Sequence, residues 1–247
     1  MSARITQLRL EAFEQLPKHA RRCVFWEVDP STVQGDDHLA DPEFEKEAWL
    51  SMVMLEWGSC GQMAVECGPD GDGSSAGLDD APCLGYAYYA PPRAVPRARV
   101  FPTSPVSADA VLLTSIGFES AAASEAMSRS LMTAVVADLV RRGVRALEAF
   151  GRTQEAAELA DPRLVPPELR PTVEVLGDCS IDQCIIDADY LADVGFRVVA
   201  PHRYFPRLRL ELEQGLGWKA EVEAALERLL ESEELRHPVG AGASPCS

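Results

Sequence analysis

FESAAASEAMSRSLM, residues 118–132, is the stretch on which the reading of the fold turns. It separates AVLLTSIGF (110–118), which reads as a buried strand, from SRSLMTAVVADLVRRG (128–143), which reads as an amphipathic helix. Leu131, Val135 and Leu139 recur at four-residue spacing, and two arginines then a glycine close the run. A strand that enters a helix through small residues leaves unpaired N–H groups and the positive end of a helix dipole at one spot, a natural seat for phosphate. Yet no glycine stands between Gly117 and Gly143. The loop is either a phosphate cradle with its glycines replaced or a plain connector.

Working outward, VRALEAFG (144–151) is the return strand. An insertion at 151–178 follows, with an acidic helix over Thr153 to Ala160 and a loop holding Pro162, Pro166, Pro167 and Pro171. SIDQCIIDADYLADVGF (180–196) reads as a helix closed by Gly195, and FRVVAPHRYFPRLRLEL as a strand, a kink and a last strand. Residues 216–236 carry an apolar stripe and read as a C-terminal helix, with 237–247 as a loose tail. Toward the N-terminus, Glu11 to Arg22 reads as a helix and Cys23 to Val28 as a short strand. Glu43 to Trp57 reads as a second helix, with Phe44, Ala48, Trp49, Met52, Val53 and Leu55 at helical spacing and Gly58 as its stop. QMAVE and CLGYAYYA read as strands joined by a mobile hairpin loop at 68–80; a Pro-rich loop at 91–107 can be neither a helix nor a central strand. The order predicts a single α/β (α+β) domain over 1–236, its core at 23–215, built on a mixed sheet of about six to seven strands with crossover helices.

The 247 residues are 47% hydrophobic, enough for one good core, and no apolar run is long enough to span a membrane. A net charge of −16 argues against direct nucleic-acid binding, which rests on basic surface. It suits solubility, a cationic substrate or a basic partner. The charged N-terminal segment and seven scattered cysteines point to a cytoplasmic protein with free thiols.

The strand, loop, helix and return strand, together with the closing ADYLADVGFRVV (188–199), resemble the GCN5-related N-acetyltransferase (GNAT) superfamily over roughly residues 105–215. The resemblance implies a sheet splayed between its fourth and fifth strands, with pantetheine in the gap beside Ile116, Gly117 and Phe118. Acetyl-CoA would be the cosubstrate, with no metal required. The pyrophosphate would sit on the amides of Ser124, Glu125, Ala126, Met127, Ser128 and Arg129. The family's loop pattern, (R/Q)-x-x-G-x-(G/A), falls here on Ala123, Ala126 and Ser128. The basic or amide side chain is therefore missing, and Glu125 adds a negative charge. The loop is thus either an acyl-CoA site of weakened affinity or a GNAT frame that no longer binds CoA. The corresponding functions are an acetyl-CoA-dependent N-acetyltransferase acting on a small-molecule or protein amine, and a non-catalytic partner-binding or regulatory module. The family also leaves room for a homodimer.

For chemistry, Glu119 at the end of the fourth strand and Glu148 in the next one are the carboxylates the fold places best for a general base, Glu119 being the candidate kept. The family's tyrosine acid falls on Leu191, with Tyr190 one residue earlier. One helical step turns a side chain by about 100°, so Tyr190 is expected to face the core rather than the thiolate. Glu148 is expected at a solvent-facing or edge position. His202, Arg203, Arg207 and Arg209 form a basic island expected to pair with surface acids. Cys179 and Cys184 have near-zinc spacing with no evident second ligand pair, and buried thiols are the preferred reading. Phe25, Trp26, Trp49 and Trp57 read as core, Trp57 being the one that could face a cleft.

Overall fold

In the computed structural model of the chain, residues 3–29, 41–66, 82–119, 125–161, 163, 165–170, 173 and 180–212 are described. The run Ala110–Phe118 is strand β4, in the middle of an eight-stranded mixed sheet. The other strands are β1 (Ala3–Gln7), β2 (Gly61–Glu66), β3 (Cys83–Ala90), β5 (Ala146–Arg152), β6 (Ile186–Asp187), β7 (Arg197–Ala200) and β8 (Arg207–Glu211). Their order is β1-β2-β3-β4-β5-β8-β7, with the short β6 beside β5. The helices are α1 (Lys18–Arg22), α2 (Pro42–Trp57), α3 (Glu125–Arg141), α4 (Ile181–Cys184) and α5 (Ala188–Asp193).

Alternation along β4 divides its side chains between two cores, as the two-residue period of a strand requires. Val111 and Leu113 pack with Leu131, Val135 and Leu139 of α3 and with Leu191 and Phe196. Leu112 joins Trp26, Trp49, Tyr88, Phe101, Phe150 and Phe205 on the opposite face. The sheet splays at the expected place. β4 and β5 pair in parallel only at Ala110–Ala146, Val111–Leu147 and Leu112–Glu148. Beyond Leu112, β4 pairs with β3 and β5 with β6, at Gly151–Ile186 and Arg152–Asp187.

The glycines read as helix stops carry that role. At the end of α3, Gly143 has φ 73°, its N–H donates to Val140 O, and Val144 N–H donates to Leu139 O. After α5, Gly195 (φ 108°) and Phe196 donate in the same way to Ala192 O and Leu191 O. Both are left-handed caps that a β-carbon would strain. α2 is fixed at both ends: the Asp41 side chain accepts from Glu43 N–H and Phe44 N–H, and Gly58 N–H donates to Met54 O.

Several expectations change. Cys23 to Val28 is not a strand. Glu27 N–H and Val28 N–H both turn back to Val24 O, and the segment plugs Phe25 and Trp26 into the core. The strand of this region is β1, at the sheet edge and mostly exposed, so its sequence lacks a strong alternating pattern. Glu11 to Arg22 divides into a 3₁₀ turn, Leu10–Gln15, and the short α1. The acidic helix is a 3₁₀ segment, Gln154–Ala160. The Pro-rich loop contains two 3₁₀ turns, Pro92–Ala94 and Pro96–Val100. The run 180–196 divides into α4, β6 and α5.

α2 is also rotated from the reading of its apolar stripe. Lys46, Trp49, Leu50 and Val53 are buried, whereas Phe44, Met52 and Leu55 lie outside. The cause is a charge inside the core. Lys46 Nζ donates to Glu27 Oε1 at 2.5 Å and to Cys23 O at 2.9 Å, and lies 4.6 Å from the Tyr88 ring. The hairpin loop at 68–80 and the C-terminal helix at 216–236 lie outside the described residues.

Candidate active site

The end of β4 is built on two reciprocal contacts with β3. Gly85 stands opposite Phe118 and Tyr86 opposite Gly117 in the antiparallel register. A β-carbon on Gly117 would lie 2.6 Å from the Tyr86 ring, and one on Gly85 would lie 2.7 Å from the Phe118 ring. Each aromatic ring therefore covers a glycine on the neighbouring strand, which fixes the register where the splay opens. Ser115 through Phe118 are half-buried and Glu119 is exposed, its N–H donating to Leu84 O.

After residues 120–124, which include Ser124 and are outside the described set, α3 begins at Glu125. A groove of about 730 Å³ runs between α3 and α5. Glu125, Ser128, Arg129, Met132, Thr133 and Val136 line one wall. Tyr190, Asp193 and Val194 line the other, with Leu210 of β8. Ser128 and Tyr190 meet across the groove, their hydroxyls 2.7 Å apart. Glu125 pairs with Arg129 one turn on, at 2.5 Å, so the acid that opposes an anion at this helix end has a cation beside it.

Tyr190 corrects the core-facing expectation. Leu191 is fully buried in the core, while Tyr190 packs only partly against it and turns its hydroxyl into the groove. The rotation between consecutive helical residues separates them, and the apolar one takes the core. Burial raises the Tyr190 pKa, and the Ser128 hydrogen bond lowers it. The structure thus brings Glu125, Ser128, Arg129 and Tyr190 to one groove. It leaves Ile116, Gly117, Phe118 and Glu119 at the end of β4. Ala126 and Met127 lie in the first turn of α3 but do not line the groove. The groove-facing Met132 and Val136 were not singled out from the sequence, though both follow Ser128 at four-residue spacing on one face of α3.

Glu148 is the second correction. It is fully buried, accepts from Ser107 N–H, and is held by Arg207 and, at 3.3 Å, by Arg209. Its place in β5 between β4 and β8 encloses it, so a basic pair must enter with it. Two arginines of the basic island thus neutralise an interior carboxylate. Arg209 also pairs with Asp109 at 2.9 Å, and Arg203 pairs with the surface acid Glu158. His202 Nδ1 accepts from Tyr204 N–H and Phe205 N–H, closing a local turn. Trp57 is partly buried, with the Arg142 guanidinium 3.5 Å from its ring centre.

The cysteine reading holds for Cys60 and Cys83, buried thiols that burial pushes up to about 12 and about 11. Cys184 differs, being disulfide-bonded, and Cys179 lies outside the described residues.

No family model matches this sequence, and no curated protein matches it. The chain is similar to solved structures of acetyltransferases. The PaiA N-acetyltransferase of Thermoplasma acidophilum, in complex with coenzyme A, is 10% identical, with a TM-score of 0.45 over 85% of this chain and 99% of that one. YncA from Salmonella typhimurium, with its cofactor acetyl-CoA, is 15% identical, with a TM-score of 0.45 over 86% and 95%. The ribosomal-protein-S5-alanine acetyltransferase of Vibrio fischeri is 9% identical, with a TM-score of 0.42 over 86% and 94%. Among the described residues, no helix is long and apolar enough to cross a membrane.

Proposed function

We propose that this chain is an acyl-CoA-dependent N-acetyltransferase of the GNAT type, moving acetyl from acetyl-CoA to an amine. The observation that carries this reading is the splay, at which β4 leaves β5 after Leu112 and then leads, through residues 119–124, into the N-terminus of α3. Unpaired backbone in such a gap can hydrogen-bond an amide-containing chain such as pantetheine, and a helix N-terminus favours phosphate. Ile116, Gly117 and Phe118 would contact pantetheine, and residues 124–129 would hold the pyrophosphate.

In this reading the amine first yields a proton to Glu119, the carboxylate nearest the end of β4 in sequence. Its neutral nitrogen then attacks the thioester carbonyl and a C–N bond forms; the C–S bond breaks, the nitrogen releases its second proton to solvent, and CoA leaves as a thiolate that takes a proton. Tyr190 is the candidate donor, its hydroxyl turned into the groove beside Ser128. The acceptor is a small-molecule or protein amine. The reading keeps one domain over 1–236, cytoplasmic residence and room for a homodimer.

Calorimetric titration with acetyl-CoA tests this directly. Heat of binding and a raised melting temperature are expected; neither at millimolar ligand would sink the enzyme and favour a non-catalytic module. Once an acceptor amine supports turnover, Glu119→Gln should lower kcat by about 10²–10⁴-fold, the range for a lost general base. Full turnover in that variant would remove Glu119 from the role.

A further inference from the structure

The core holds a second cluster of reactive side chains, on the face of the sheet opposite α3. His19 lies in α1, and Cys23 follows it by one helical turn, its N–H donating to His19 O at 2.8 Å. Cys184 ends α4. One candidate ligand atom from each of these three residues falls within 4.8 Å of the others, with Cys184 buried and the other two half-buried. Cys23 Sγ and Cys184 Sγ are 3.8 Å apart. Two thiolates bound to one tetrahedral zinc at about 2.3 Å each stand about 3.8 Å from one another.

We propose that His19, Cys23 and Cys184 form a zinc site in the thiol-reduced chain. The surroundings are arranged as such a site requires. The backbone of Gln183 hydrogen-bonds the His19 ring, which orients the imidazole as outer partners of zinc-binding histidines do. Lys46 Nζ holds the Cys23 carbonyl at 2.9 Å, and Trp26 Nε1 holds the Cys184 carbonyl at 3.0 Å. Both sulfur-bearing residues are therefore fixed through their backbone by buried donors, which preorganises the ligands before metal arrives. His19 and Cys23 supply the second ligand pair that no spacing rule could reveal, because helix α1 and helix α4 are far apart in sequence.

Cys184 is disulfide-bonded in this structure, so loading the site starts with reduction. A thiol reductant opens that bond: two electrons reduce the protein disulfide to two thiols while the reductant becomes a disulfide. Zinc then displaces one proton each from Cys23 and Cys184, and neutral His19 adds through a ring nitrogen. The remaining coordination position falls to water or another donor. Zinc and the disulfide exclude each other at Cys184, so metal occupancy depends on redox state.

The test uses the full chain, reduced and stripped with chelator, then titrated with Co²⁺ or Zn²⁺. Expected are about one metal ion per chain and a thiolate-to-cobalt charge-transfer band with tetrahedral visible bands. His19→Ala, Cys23→Ser and Cys184→Ser should each weaken zinc binding by more than about 100-fold, beyond the loss expected from an outer partner. Cys60→Ala, altering a buried thiol outside the cluster, should leave the spectrum unchanged. Because a core variant can fail to fold, the unmutated chain supplies an independent readout. Zinc should protect Cys23 and Cys184 from alkylation mapped by mass spectrometry. Absence of the cobalt spectrum in the reduced chain, a spectrum retained in folded Cys23→Ser, or alkylation at both cysteines despite zinc would each overturn the site.

Discussion

Lys46→Met should lower the unfolding free energy by about 3–5 kcal/mol, the usual cost of stranding a buried charge. The side chains of Lys46 and Glu27 are 2% and 1% exposed and meet at 2.5 Å. Nζ also satisfies the Cys23 carbonyl and lies over the Tyr88 ring, whereas the other Glu27 oxygen accepts from Trp26 N–H. Methionine fills much the same volume and leaves Glu27 a desolvated carboxylate without its cation. Lys46→Met with Glu27→Gln removes both charges and should recover most of the loss. Urea unfolding, read as a midpoint shift at constant slope, measures both variants. A single variant as stable as the parent, or a double variant no better than the single, would show that the pair does not control this core.

The second large effect is expected at the groove. Ser128→Trp places an indole where the Ser128 hydroxyl now meets Tyr190 at 2.7 Å, in the wall formed by the first turns of α3. If these turns hold the pyrophosphate, the bulky ring blocks approach to the helix amides. Affinity for acetyl-CoA should then fall by at least about 100-fold, or about 2.8 kcal/mol. Ser130→Trp adds the same ring at an exposed position outside the groove lining and should leave affinity unchanged. Calorimetry on the two variants, each with an unaltered circular dichroism spectrum, separates a blocked site from an unfolded one. Equal affinity in Ser128→Trp and the parent would reject this placement of the cradle.

Much of the frame was legible because its signals are local. The apolar run 110–118 with a helical period after it announced β4 and α3. Gly58, Gly143 and Gly195 marked helix ends, and all three have positive φ. β1 was missed because an edge strand buries little and its alternation is weak. Cys23 to Val28 was misread because burial of Phe25 and Trp26 gives an apolar run whether the backbone extends or turns.

The candidate site was legible only in part. The loop's position and its small residues could be read from 118–132, as could the rotation separating Tyr190 from Leu191. Which of these two would enter the core depended on what α5 packs against, and that contact is not local. Glu148 shows the same limit: acidity suggested solvent, but neighbouring strands on both sides enclose it and bring Arg207 and Arg209 to it.

By itself, then, the sequence determined the succession of β4, α3 and β5 and the glycine stops of α2, α3 and α5, because each depends on backbone geometry within a few residues. Only the tertiary structure decided the pairing of Lys46 with Glu27, the enclosure of Glu148, the Ser128–Tyr190 contact and the meeting of Cys23 with Cys184, 161 residues apart. A buried polar side chain is stable only beside a matching partner. That partner is chosen by how distant segments pack, which no short window of sequence contains.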